Sequence, residues 1–277
     1  MIRAAELSLE TSKLSAFVRR DFLTAWSYRF TFFSEAIGLI AQAVVFSFVG
    51  RMVDPTVLPS YGGTRASYLT FVAVGIAFTQ FLQVGLGRMV SAIRTEQLMG
   101  TLESLLLTPM RQTTLLLGSV TYDLLYVPVH TIAFLGVVGV GFGLGFHASG
   151  ALPAIAILLL FVPFVWGIGI ASAAGVMTFR KGSGLFGWFG YALTLMSGAY
   201  FPTSLLPDWL QGAARMNPIS VALTASRKAL IGGAGWAELA PSLGLLAVAA
   251  VVAIAFGTAA LQLSLRRERR LGTIGMY

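Results

Sequence analysis

Long apolar runs constrain this chain more than any other feature. Residues 30–49, 68–93, 115–142 and 152–179 each reach the ~18 residues that mark a transmembrane helix candidate. A shorter run follows at 184–201, and an Ala- and Val-rich one at 243–265. Only 11% of residues are charged and 56% are hydrophobic, against roughly 25% and 45–50% in soluble domains. The sequence therefore predicts an all-α polytopic membrane protein with six transmembrane helices in a single domain spanning residues 1–277.

The net charge of +8 could point to nucleic acid. The basic residues instead gather at the ends of the runs, as the positive-inside rule expects. With both termini cytosolic, only Arg51, Arg65, Arg215, Arg227 and Lys228 fall outside. The other 14 of the 19 Lys and Arg fall inside. This places the chain in the cytoplasmic membrane with lipid as a partner and no nucleic acid. Cys is absent, so disulfides and thiolate metal sites are excluded. The N-terminal stretch has no apolar core of signal-peptide length, and the first span is expected to act as its own insertion signal.

Three polar segments interrupt the spans. Residues 7–28 carry Leu7, Leu14, Phe17, Val18 and Phe22 at helical spacing, opposite Lys13, Arg19, Arg20 and Asp21. That pattern fits an interfacial helix at the cytosolic surface, or equally a helix packed on other cytosolic protein. Residues 94–111 form a cytosolic loop in which Leu98, Leu102, Leu105 and Leu106 share one helical face. Glu96, Thr101, Glu103 and Ser104 lie off that face, and Pro109 ends the run. Residues 201–233 are neither a span nor a plain loop. Pro202 and Pro207 end the fifth span, with Pro207 as first residue of a short helix. Asn217-Pro218 breaks that helix, and a second runs to a C-cap at Gly232. Each piece is too short to cross ~30 Å of hydrocarbon, which predicts a re-entrant hairpin on the outer side.

Charges within spans require partners or water. Glu35, Arg88 and Asp123 lie roughly 7, 7 and 12 Å from the cytosolic ends of their spans at 1.5 Å per residue. They can pair at an inner neck, or snorkel to the interface. Glycines 136, 139, 141, 143 and 145 read as a helix-packing surface, with a smooth wall along a substrate path as the alternative. Gly182–Gly187 matches G-x-G-x-x-G, but it opens an apolar helix with no preceding strand or downstream acid. It is a turn. No P-loop occurs, His130 and His147 lack acidic neighbours, and His130 reads as a polar packing residue. No catalytic or metal-ligating residue is assigned.

At this point the sequence resembles a family. TEQLMGTLESLLLTPMRQTTLLLG is similar to the E-x-x-x-G-T-L-E-x-L-L-x-T-P signature of type-2 ATP-binding-cassette (ABC) exporter permeases. SGAYFPTSLLPDWLQGAARMNPISVALTASRKALIGG resembles that family's second landmark, S-G-x-x-F-P…L-P…N-P…R-x-x-L-x-G. The resemblance implies a membrane subunit without its own ATPase site. Its partners would be two copies of an ATPase subunit, which hold ATP and Mg, and a second permease copy or paralogue. It assigns ATPase coupling to Glu96, Gly100, Thr101, Leu102, Glu103, Thr108 and Pro109, in a coupling helix over 96–109. It assigns the outer gate to Phe201, Pro202, Pro207, Asn217, Pro218 and Arg227. It also makes the N-terminal amphipathic segment the family's interfacial connecting helix. The implied cargo is amphipathic: lipid, lipid-linked glycan, drug or peptide. One departure is the shortness of outer loops such as residues 51–66, which leaves no room for the large periplasmic domain of some relatives. An ion- or proton-coupled secondary transporter is the rival reading. It requires inverted repeats and midplane ion ligands, and neither is visible.

Overall fold

The computed structural model describes residues 18–20, 22–23, 27, 29–83, 86–87, 90–91, 112–179 and 183–271. The main helices are α1 (Arg29–Val49), α2 (Tyr68–Gln83), α3 (Gln112–Gly141), α4 (Ala151–Phe179) and α5 (Ser183–Met196). They are followed by α6 (Asp208–Met216), α7 (Pro218–Gly232) and α8 (Trp236–Leu271). Between α1 and α2 a small antiparallel hairpin pairs β1 (Ser60–Tyr61) with β2 (Thr64–Arg65). Its turn is Gly62-Gly63, both at positive φ, which residues with a Cβ adopt rarely. The sequence alone marks this segment only as a short loop.

The helices match the apolar runs with three shifts. The fifth stops at Met196 rather than near residue 201, because Ser197 and Gly198 turn, with Gly198 at φ 77°. The last helix starts at Trp236 and runs 36 residues, longer than its apolar stretch. The hairpin's C-cap is Gly233, at φ 65°, one residue beyond Gly232. Among the described residues, Ala148–Phe179 and Trp236–Arg267 are long and apolar enough to cross a membrane, and Ile37–Val49, Tyr68–Gln83 and Tyr126–Gly141 are shorter apolar helices.

α2 is the central element, with buried residues on every face from Leu69 to Leu82. Phe78, Phe81 and Phe161 join α2 to α4 through ring centroids 5.2–6.5 Å apart. Around them pack Ile157, Leu223, Leu239 and Leu246, the main core. Conversely, Phe30, Phe33, Val45 and Phe48 on α1 and Val248, Val251 and Val252 on α8 are exposed. Apolar stripes of that size are untenable in water and are expected against lipid. This agrees with an integral membrane protein.

α4 and α8 form the most extensive helix pair. A Cβ on Gly167 would fall onto the Ala253 backbone, and one on Gly257 onto the Gly167 carbonyl. Below that crossing Thr178 Oγ1 donates to Ser264 Oγ at 2.9 Å, and Ser264 Oγ donates to the Ala174 carbonyl at 3.1 Å. Small residues that bring backbones together are the expected device where lipid tails compete with apolar side chains. The structure corrects the location expected for this device. A Cβ at Gly136, Gly141, Gly143 or Gly145 would meet nothing within 4 Å, and one at Gly139 only the Phe146 ring. Among the described residues, these five glycines therefore bring no second helix backbone close.

The proposed coupling helix, with Glu96, Gly100, Thr101, Leu102, Glu103, Thr108 and Pro109, lies outside the described residues, as does Arg88. The backbones of Glu35 and Asp123 lie in α1 and α3, but their side chains are outside the description. The 7–28 helix is covered only at residues 18–20, 22–23 and 27, all helical.

Candidate functional site

The hairpin over residues 201–233 forms the most connected constellation among the described residues. α6 and α7 have 9 and 15 residues, about 14 and 22 Å at 1.5 Å per residue, and neither can span ~30 Å. Pro207 stands just before α6 as its N-cap, one residue earlier than expected, and its carbonyl accepts from the Leu210 and Gln211 amides. Asn217 is buried at the break, and Pro218 opens α7, where its missing N–H goes unneeded. Asn217 Oδ1 accepts from the Ile219 amide at 3.0 Å and caps α7, while Nδ2 donates to the Leu193 carbonyl of α5 at 3.3 Å. One side chain thus fixes both the turn and its attachment to the bundle.

The other end of α7 is held more firmly. Gly233 and Ala234 amides donate back to the Ala229 and Lys228 carbonyls, closing the helix. The His147 amide donates to the Leu230 carbonyl at 2.7 Å. A Cβ at Gly62 would lie 2.6 Å from the Gly232 carbonyl, so the β-hairpin tip rests directly on this end. Lys228 reaches Glu238 of α8 at 3.5 Å, with both groups largely in solvent.

Arg227 is the centre of this end. It is 2% exposed, and no carboxylate is among its recorded partners. Its Nε and Nη2 donate to the Phe71 carbonyl of α2 at 3.2 and 3.0 Å. Nη1 donates to the Gly198 carbonyl at 2.9 Å, and Nη2 also to the Ala199 carbonyl at 3.1 Å. The guanidinium carbon stands 3.5 Å from the Phe71 ring centroid, within cation–π range. Burial pushes its pKa down to about 10, opposed by the neighbouring Tyr61 phenol. It still carries its charge at neutral pH. Burial pushes the Tyr61 phenol up, with Arg227 opposing, so it stays neutral.

These contacts give a physical reason for the second motif. Its opening S-G-x-x-F-P and its closing R-x-x-L-x-G are 29 residues apart in the chain, and Arg227 bonds them together. Gly198 supplies the turn that aims two successive carbonyls at the guanidinium. A Cβ on Gly75 would fall onto the Ala199 carbonyl, so α2 and this turn are in backbone contact. Beside it, Tyr68 Oη donates to the Tyr200 carbonyl at 3.1 Å, and Phe46 stacks on Tyr200 at 5.8 Å. Of the expected gate residues, Pro202 is buried, Phe201 half-buried and Pro207 exposed. Tyr61, Phe71 and the Gly198–Ala199 carbonyls were not anticipated; only the Gly62-Gly63 turn beside Tyr61 marks that region in the sequence.

Among the described residues no cluster of His, Asp and Glu could hold a metal. His130 stacks on Tyr126 at 5.2 Å, in keeping with a packing role. The chain is built to position helices, with no group of nucleophile, base and orienting partner among the described residues.

Comparison with known proteins agrees with that architecture. The family model described as ABC-2 type transporter matches residues 12–231. The daunorubicin resistance ABC transporter permease protein DrrB1 of Streptomyces coeruleorubidus is 29% identical over 199 residues, covering 68% of each chain. The family match contains the first motif, the buried Arg227 and the hairpin up to Ile231. This chain therefore belongs to the ABC-2 type transporter family, as a membrane permease subunit whose ATPase activity lies in a separate subunit.

Proposed function

We propose that the chain is a six-span permease, with both termini cytosolic, that pairs with a second copy or paralogue and with two ATPase subunits. The assembly exports an amphipathic cargo: a lipid, lipid-linked glycan, drug or peptide. Residues 201–233 act as the outer gate. Glu35, Arg88 and Asp123 form an inner neck. Residues 96–109 receive the stroke of ATP binding, and the ATP and Mg are held by the partner.

The observation that carries this reading is the hairpin. It is a pair of helices too short to span, turned back at Asn217 and fastened to α2 and the end of α5 by Arg227. Irregular backbone at membrane depth is tolerated where protein covers it or where it lines a water-filled path, and a gate meets both conditions. The resistance function in DrrB1's name fits outward movement of a drug-like cargo and supports that direction here.

The decisive experiment is on coupling. Glu103 lies near the middle of the proposed coupling helix and off its leucine face. Glu103→Arg should insert normally but lose co-purification with the ATPase, or lose cargo-stimulated ATP hydrolysis. Breaking a buried charged contact at an interface costs about 2–5 kcal/mol. Leu102→Asp, on the apolar face, should instead lower the yield of folded permease. Full complex formation and full stimulated turnover in Glu103→Arg would reduce residues 94–111 to a surface loop.

A further inference from the structure

A cavity of about 520 Å³ opens between α5 and α8, with α4 as its floor and the deep end of the hairpin, Asn217 to Ile219, closing one side. α5 packs on α2, α4, α6 and α7, while α8 packs on α4 and α7, so α5 and α8 leave a cleft. Phe189 of α5 and Phe256 of α8 stand in its wall and are 53% and 66% exposed. Phe256 continues the stripe of Val248 and Val252 along α8 at helical spacing. The mouth of the cavity is therefore continuous with an apolar face turned toward lipid.

The described side chains that line this cavity offer little to a polar ligand. Three polar residues line it, and each is already committed within the protein. Ser172 Oγ donates to the Ile168 carbonyl at 2.9 Å, and Thr178 Oγ1 bonds the Ala174 carbonyl and Ser264 Oγ. Asn217 uses both ends of its amide on Ile219 and Leu193. No lining residue is charged. Buried water requires two to four polar partners, and the described wall offers only spare lone pairs of Ser172 and Thr178 and one spare Asn217 N–H, while an apolar cavity of ~150 Å³ already takes up benzene. A space several times larger, open to the bilayer interior, takes a flexible apolar chain.

We propose that the α5–α8 cleft is a binding site for one acyl chain of a bilayer lipid, seated against the deep end of the hairpin. The site is separate from the charged knot at Arg227, and its occupant is a resident bilayer lipid, not the transported cargo. Its occupant enters sideways from the membrane, between Phe189 and Phe256, and meets the hairpin end held to α5 by the Asn217–Leu193 bond.

The test uses the full chain in phosphatidylglycerol vesicles containing a phospholipid with a photoreactive diazirine midway along one chain. Adducts are mapped by peptide mass spectrometry. Label should concentrate on α4 residues 168–175, on Phe189 and Leu193, and on α8 residues 256–260. Ala171→Phe and Ala260→Phe fill the cleft from two different walls. Each should lower the adducts on the opposite wall by about tenfold while leaving those on Val45 and Phe48 of α1 unchanged. The wild-type adduct map and either variant alone are sufficient should the other fail to accumulate. Label spread in proportion to exposure, or adducts indifferent to both fillings, would overturn the proposal. So would displacement of the adducts by the transported cargo, which makes the cleft a cargo site. Protection of the cleft by a second permease copy would overturn it as well.

Discussion

Replacing Arg227 with methionine keeps most of the side-chain length and removes the charge and all donors. The Gly198 and Ala199 carbonyls then lose the guanidinium bonds recorded for them, whereas the Phe71 carbonyl remains within the α2 ladder. Each orphaned buried carbonyl costs about 1–3 kcal/mol, and loss of a desolvated cation–π contact about 2 kcal/mol. The gross loss is about 4–8 kcal/mol. Against it stands the burial of the charge itself. Burial of the guanidinium pushes its pKa down to about 10, so the substitution returns part of that loss. The net expectation is a loss of roughly 3 kcal/mol, or about 6–12 °C in Tm for a chain of this size. Arg227→Lys retains the charge but loses the fork whose separate nitrogens reach the Phe71 and the Gly198–Ala199 carbonyls, so it should fall between the two. Tryptophan-fluorescence melting in nanodiscs measures all three chains under one condition. A methionine variant within about 2 °C of the parent would refute the reasoning, since the bonds would then contribute nothing net. Full rescue by lysine would show that charge alone matters and that the fork geometry does not.

Two further outcomes follow from the hairpin and the α4–α8 seam. Single cysteines at Asp208 and Lys228 are clean probes because the parent chain has none. Both should react with an impermeant thiol reagent from outside only, and labelling of either from the cytosol alone would overturn the re-entrant assignment. Gly167→Leu should destabilise the fold by about 1–3 kcal/mol through overpacking against Ala253, while Gly141→Ala should change stability by less than about 0.5 kcal/mol. Equal effects at the two positions, compared by thermal melting, would contradict the packing described for α4 and α8.

What the sequence disclosed and what it concealed divide along the range of the interactions involved. Asn217-Pro218 carries its own meaning: a capping side chain and an imide that cannot continue a helix, two local effects readable from adjacent letters. The apolar runs likewise predict their helices, since length and composition are local sums. Sequence alone sets the end of α5 several residues late, because nothing near Met196 reveals that the Gly198 and Ala199 carbonyls turn toward a guanidinium 28–29 residues downstream. The packing glycines were sought in α3, where they are dense, and found at Gly167 and Gly257, where they are sparse but face one another across two helices. Spacing along one chain segment cannot report such a pairing. The coupling residues are the opposite case, plain in the motif while their structure lies outside the described residues.

The hairpin's two ends differ in kind, and the difference bears on how it could move. At the outer end, Arg227 bonds three carbonyls on two elements, the His147 amide adds a fourth tie, and the β-hairpin tip bears on Gly232. At the deep end, Asn217 makes one cap within its own helix and one bond of 3.3 Å to Leu193, next to an apolar cavity that offers little resistance. Displacing the outer end would orphan several buried groups at once, each costing about 1–3 kcal/mol. Displacing the deep end breaks one neutral hydrogen bond, worth about 0.5–1.5 kcal/mol net, and unpacks Ile219 from the core, about 1.5–3 kcal/mol, while the Asn217 cap moves with α7. If transport requires the hairpin to swing, the physics places the pivot at Arg227 and the travel at Asn217, so that α2 and the end of α5 move with the pivot as one body. A chain in the α5–α8 cleft would then stand in the path of the moving end, and its presence or absence would bias the swing without touching the knot that anchors it.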